Sequence, residues 1–75
     1  MNKLEIGKYL KKLRENLKLT QEELANIFMN VYHKDISVHA VSEWENCNTI
    51  PNSENLEILS FLLISLSIFR FQVYS

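Results

Sequence analysis

Residues that interrupt or crosslink a chain are scarce in this sequence of 75 residues, which has one glycine, one proline and one cysteine. So little glycine and proline leaves few positions for hairpin turns, and this favours an all-α fold. The single cysteine cannot form an internal disulfide. Because no signal-peptide pattern precedes the first predicted helix either, we expect a cytoplasmic location.

Residue patterns typical of catalysis and of metal binding are also missing. The sequence has no nucleophile–base pair, no glycine-rich phosphate loop and no paired carboxylates with a pocket to occupy. Cys47 has only His33 and His39 as possible companions, and their spacing is not that of a metal site. We therefore expect no enzyme activity, no catalytic residue, no metal and no cofactor.

Positive charge is in short supply overall, since the net charge is -1. Affinity for nucleic acid comes mostly from lysine and arginine, so an acidic chain starts at a disadvantage. The basic residues are concentrated in the first predicted helix, however: Lys3, Lys8, Lys11, Lys12, Arg14 and Lys18. A local patch can bind where the average charge would not, although a solvated helix face explains these lysines equally well.

Two short helices are predicted in the centre of the chain. Thr20 and Glu23 have the spacing of a capping box, which marks the start of the first. Apolar residues then follow at i, i+3 and i+4: Leu24, Ile27 and Phe28. Ser37 can cap the second helix, with Val41 and Trp44 on its inner face. The pattern is typical of a helix-turn-helix, with a small, polar outer face on the second helix.

Three segments resemble the Cro/phage-repressor (Xre-type) helix-turn-helix family. IGKYLKKLRENLKLTQEELA (6–25) resembles its opening, AVSEWEN (40–46) the end of its recognition helix, and IPNSENLEILS (50–60) its fourth helix. The resemblance implies an all-α, lambda-repressor-like helix-turn-helix bundle of four to five short helices, in a DNA-binding domain spanning residues 1–64. It also implies sequence-specific binding of double-stranded DNA.

The resemblance places the recognition helix, residues 38–46, in the major groove, and together with side-chain chemistry it indicates a set of candidate DNA-binding residues. They are Gln21, Lys34, Ser37, Val38, His39, Ser42, Glu43, Asn46 and Asn48. Gln21 would lie against the DNA backbone. Lys34 either reaches phosphate or is simply solvated, and Glu43 either accepts from a cytosine amino group or repels phosphate.

Other residues are assigned structural roles by the same resemblance. Arg14 would pair with Glu45 and clamp the first helix to the end of the third, and Gly7 would allow a close helix crossing. The connection after Phe28 is longer than usual for the family and lacks its glycine. We expect the second helix to extend through Val31 or Tyr32. A left-handed asparagine would end the third helix.

Residues 61–75, which include the C-terminal tail at 65–75, depart from the family because apolar residues lie on nearly every side of them. Such a surface predicts a partner, and a homodimer interface is the leading interpretation. Ile64, Leu66 and Ile68 alternate with serines, so a strand added across a dimer is an alternative. A membrane helix is disfavoured because the run contains serines and reaches Arg70 before about 20 apolar residues.

These observations predict a small dimeric transcription regulator, most simply a repressor. With no large effector domain in the sequence, we expect no small-molecule effector. The alternative is a protein-interaction module of the same fold that has lost DNA binding and modulates another regulator through its dimer interface. The acidic balance and Glu43 favour this alternative, whereas Gln21, His39 and the basic first helix favour DNA binding.

Overall fold

The computed structural model describes the backbone of residues 2–74 and the side chains of residues 2–62, 64 and 65. Within residues 2–74 the chain forms four helices and no strand: α1 (Lys3–Asn16), α2 (Gln21–Tyr32), α3 (Val38–Glu45) and α4 (Ser53–Tyr74). The predicted all-α bundle is confirmed. α4 is longer than the predicted short helices: it has 22 residues and extends into the tail. The alternative of a strand in residues 65–74 is therefore ruled out.

Each helix begins after a polar side chain that accepts a hydrogen bond from the amide three residues further on: Asn2, Thr20, Ser37 and Asn52. These hydrogen bonds are 2.8–3.0 Å long. At α2 the Glu23 side chain also accepts from the Thr20 amide at 2.8 Å, which completes the predicted capping box. Local sequence therefore fixes where the helices start.

Three residues with positive φ follow the ends of α1, α2 and α3: Lys18 at 60°, His33 at 56° and Cys47 at 67°. α2 ends at Tyr32, as predicted. The predicted left-handed asparagine after α3 is wrong, because Asn46 has φ -84° and the next residue adopts the left-handed conformation. The left-handed residue is therefore Cys47, one position later than predicted and directly after the C-cap Asn46.

The hydrophobic core is formed by side chains from all four helices: Leu10, Leu24, Ala25, Phe28, Val41, Trp44, Leu59 and Leu62. Phe28 is fully buried, and its ring centroid lies 6.1 Å from that of Trp44 in a tilted arrangement. Trp44 is therefore a core residue, as predicted. Its side chain packs the inner side of α3 against the core, so the opposite side of that helix remains accessible.

α1 and α3 cross at Gly7. A Cβ atom at this position would lie 2.5 Å from the Trp44 carbonyl oxygen and 2.7 Å from the Cys47 sulfur. Only glycine allows the two backbones to approach this closely, which confirms the predicted close crossing.

Candidate nucleic-acid interface

The side chains of α3 divide into a buried side and an accessible side. Val41, Trp44 and Glu45 are buried. On the other side Val38 is 41% exposed and the His39 side chain 83% exposed. Ser42 and Glu43 are half-buried there, and Ser37 is exposed in front of them. Five of the nine predicted DNA-binding residues therefore lie together on the outer side of α3 and its cap.

Two contacts join side chains along this outer side. His39 Nε2 lies 3.5 Å from Glu43 Oε1, one helical turn further on. The Asn46 amide donates a hydrogen bond of 3.2 Å to Ser42 Oγ. These groups include amide and imidazole donors and carboxylate and hydroxyl acceptors, the types that read base edges.

Gln21 and Glu45 connect the start of α2 to the end of α3. Gln21 Nε2 donates a hydrogen bond of 3.1 Å to Glu45 Oε1. This contact could not be predicted from the sequence, because the two residues lie 24 positions apart and neither local pattern points to the other. The half-buried Gln21 is thus held by the same carboxylate that anchors the inner side of α3.

The predicted clamp between Arg14 and Glu45 is present and buried. Arg14 Nε and Nη2 donate to the two Glu45 carboxylate oxygens at 2.6 and 2.9 Å, and Nη1 donates to the Leu19 carbonyl at 2.6 Å. The side chains of the pair are only 11% and 3% exposed. Hydrogen bonding to Glu45 raises the pKa of Arg14 against the lowering effect of burial, so the guanidinium stays charged.

The segment after α3 contributes two further predicted residues, Asn46 and Asn48, both exposed. The backbone N–H of Asn48 donates to the backbone carbonyl of Glu43 at 3.0 Å, and the backbone N–H of Thr49 donates to the same oxygen at 3.4 Å. These bonds fold the segment back against the end of α3. Both asparagine side chains therefore project from a turn adjoining the outer side of that helix.

Lys34, the last predicted residue, lies in the connection between α2 and α3 and forms an ion pair with Glu54 in the first turn of α4. The Lys34 side chain is 36% exposed. Its charge is thus partly compensated within the molecule. Lys34 brings less positive charge to the outer side of α3 than its sequence position suggested.

Neither a metal-binding cluster nor a membrane-spanning helix is found within the part of the chain that the structure describes. No group of three or more histidine, cysteine, aspartate or glutamate side chains there could hold a metal ion. Nor does any helix of the described residues have both the length and the apolar character needed to cross a membrane.

Comparison with known proteins bears on the family of this chain. Comparison with curated proteins gave no match, and comparison with solved structures gave none either. A family model described as Helix-turn-helix matches residues 10–63, from within α1 to within α4, and so covers most of the 75 residues. The protein therefore belongs to the Cro/C1-type (Xre-like) helix-turn-helix family, a family of DNA-binding regulators.

Proposed function

We propose that this protein is a sequence-specific transcription regulator, a repressor, that binds double-stranded DNA as a homodimer with α3 in the major groove. Family membership supports DNA binding in general. The single observation that carries the finer proposal is the division of α3 into a side anchored by Trp44 and a side of short, accessible side chains. The major groove is about 12 Å wide and admits a helix of this kind.

The residues on the outer side of α3 suit the reading of base edges. Val38 offers methyl groups that can contact a thymine methyl. His39, the most exposed of the set, can donate to guanine or accept from an adenine amino group. Ser42 can serve either a base or a phosphate. For Glu43 we propose the role of acceptor from a cytosine amino group, because a carboxylate can accept the hydrogen bond that this group donates in the major groove.

The remaining predicted residues suit contacts that position the protein on the DNA backbone. Gln21 is the first residue of α2, where free backbone amides favour phosphate. Asn46 and Asn48 offer side-chain amide donors on the other flank of α3. Ser37, at the start of α3, and Lys34, in the preceding connection, complete the proposed set. Contacts of this kind fix register and orientation and carry no sequence information themselves.

Homodimerisation through α4 would place two recognition helices on one duplex. Phe61 is 68% exposed and Ile64 58% exposed, which is unusual for large apolar side chains this close together on one helix. Two copies related by a two-fold axis would bind half-sites about 34 Å apart. Repression requires no further chemistry, because a bound dimer can block a promoter without a cofactor or a small-molecule effector.

Selection of preferred duplexes from random DNA tests this proposal. We expect enrichment of a sequence with two related half-sites. His39→Ala should weaken binding to the selected duplex by about 1–3 kcal/mol and relax the preference at one position of each half-site. His33→Asn is the matched control. It replaces the other histidine, which lies outside α3, with a residue that tolerates the left-handed conformation found there.

A second function, a protein-interaction module without DNA binding, is favoured by one specific observation. α3 carries no lysine or arginine, the half-buried Glu43 lies on its outer side, and Lys34 is paired with Glu54. Failure to enrich any duplex at low salt, together with retained self-association or association with another regulator, would establish this alternative. Recovery of a preferred duplex would exclude it.

A further inference from the structure

A DNA-binding surface needs positive charge, and the outer side of α3 does not supply it. Its ionisable side chains are His39 and Glu43, while Glu45 on the inner side is balanced by Arg14. The charge of Lys34 is partly compensated by its ion pair with Glu54. Since phosphate contacts by lysine and arginine supply most non-specific affinity, cations from another element must flank this helix if it enters DNA.

α1 contacts the end of α3 along one stripe of its surface. The Leu4 carbonyl lies 3.6 Å from the Cys47 sulfur, Gly7 meets the Trp44 carbonyl, and Arg14 binds Glu45. Positions 4, 7, 11 and 14 fall on the same side of an α-helix. Lys11 therefore sits between the Gly7 crossing and the Arg14 clamp, opposite the segment in which α3 ends.

The lysines of α1 differ in whether they lie on this stripe. Lys12 lies about 100° round the helix from Lys11, off the stripe. Lys8 and Lys12 are exposed like Lys11, but no contact of α3 brackets them. Among the described residues the ion pairs involve Arg14, Lys34 and His39 and no lysine of α1. The charge of Lys11 is thus available beside the turn that carries Asn46 and Asn48.

We infer that Lys11 contacts a DNA phosphate at the edge of the α3 interface, next to the backbone reached from the turn after α3. The inference rests on the proposed DNA-binding function and adds to it a residue on a different helix. Lys11 supplies a cation where the proposed asparagine donors are neutral. The contact strengthens binding to all sequences equally, since phosphate carries no base identity.

A purely structural role for Lys11 is the competing explanation. The C-terminal end of α3 carries unpaired carbonyls and a partial negative charge, which a nearby ammonium group would stabilise. Such a role would change the free energy of unfolding without changing how many counterions DNA binding releases. The salt dependence of affinity therefore separates the two explanations.

The test compares Lys11→Gln with Lys12→Gln on the full chain, using a duplex selected by the wild-type protein. Binding is measured across a series of salt concentrations. For Lys11→Gln we expect the slope of log K against log salt to become shallower by about one for each bound copy. We expect Lys12→Gln to leave the slope unchanged, although it removes the same charge from the next residue. Lys11→Arg should restore the wild-type slope.

Two results would overturn the inference, and they are distinguishable. If the wild-type protein selects and binds no duplex at low salt, both the proposed function and the Lys11 contact fail. If the wild-type protein binds but Lys11→Gln and Lys12→Gln have equal slopes, only the Lys11 contact fails. Circular dichroism of both variants checks that each is folded under the binding conditions.

Discussion

Arg14 shows at the scale of one residue how the fold and the candidate interface depend on each other. Its guanidinium binds both carboxylate oxygens of Glu45, and the same carboxylate holds Gln21 at the start of α2. A residue buried in the molecule therefore sets the relation between two elements of the proposed interface. Removing it should affect both stability and the presentation of Gln21.

Arg14→Ala should lower the free energy of unfolding by about 3 kcal/mol, because it leaves the Glu45 charge buried without its partner. Urea denaturation measures the loss, with Lys12→Ala, an exposed position in the same helix, as the control. Replacing both partners, as Arg14→Met with Glu45→Leu, should recover much of the stability. An unchanged midpoint in Arg14→Ala would contradict the clamp.

The pKa of Arg14 fixes how this clamp responds to alkali. Hydrogen bonding to Glu45 raises the pKa of Arg14 in the folded state above its ordinary value. The stabilisation that comes from this shift is therefore complete below the unfolded-state pKa and is lost only as pH rises through the higher folded-state pKa. The clamp should be insensitive to moderately alkaline pH.

Lys18 lies in the left-handed region with φ 60°, where a side chain with a Cβ atom is disfavoured. Lys18→Gly should therefore raise the free energy of unfolding by about 1 kcal/mol. The same substitution within α1, Lys12→Gly, should lower it by about 1 kcal/mol. Thermal unfolding of the two variants measures both effects. Shifts of the same sign would contradict the left-handed conformation of Lys18.

Residues governed by short-range rules were predictable from the sequence. The caps at Thr20 and Ser37 follow from side chains that reach amides three residues away, so a local pattern was sufficient. The left-handed residue after α3 was assigned wrongly to asparagine. Intrinsic preference favours asparagine, but the chain geometry after α3 places the reversal at Cys47. Tertiary placement outweighed local preference there.

At the scale of elements, the crossing of α1 and α3 positions the outer side of α3 relative to the rest of the bundle. At Gly7 the two helices approach so closely that there is no room for a Cβ atom. Its need for glycine was predictable only through family resemblance, because a glycine within a helix has no local justification. The stripe of α1 that includes Lys11 is set by the same crossing.

Gly7→Ala should lower the free energy of unfolding by about 1–3 kcal/mol, although alanine is the better helix former. The new Cβ atom would lie 2.5 Å from the Trp44 carbonyl oxygen, a backbone atom that cannot rotate away. Chemical denaturation measures the loss. Adding Cys47→Ala relieves only the clash with sulfur, so the double variant should not regain wild-type stability. Full recovery would mean that the backbones are further apart than described.

Two segments could be predicted only in part from the sequence at this scale: the connection between α2 and α3, and the C-terminal tail. The end of α2 at Tyr32 was predicted, but the pairing of Lys34 with Glu54 depends on how α4 returns to this connection. In the tail, alternation of apolar residues with serines suggested a strand. α4 continues to Tyr74 instead, because nothing in the sequence after Ser53 stops a helix.

At the scale of the whole molecule, apolar side chains line a groove between α1 and α4 and are exposed further along α4. A groove of about 240 Å³ between these helices is lined by apolar side chains and by Ser60: Ile6, Tyr9, Leu10, Leu13, Leu56 and Leu59. Ser60 also borders the depression formed with Phe61 and Ile64. The groove and the depression therefore adjoin at Ser60, and Glu57 and Ser65 also line the depression. A small domain gains stability by covering such a surface with a second copy.

Phe61→Glu should convert the proposed homodimer into a monomer, because a carboxylate in a two-fold apolar contact meets its own copy and must lose its hydration. Sedimentation equilibrium measures the change in mass. Val31→Glu is the matched control, since Val31 is 60% exposed on α2, outside this surface, and its replacement should leave the mass unchanged. DNA binding should weaken with Phe61→Glu, because a monomer contacts one half-site and loses the advantage of two linked contacts. A wild-type protein that is monomeric at every concentration, or equal masses for the two variants, would show that α4 does not form the dimer.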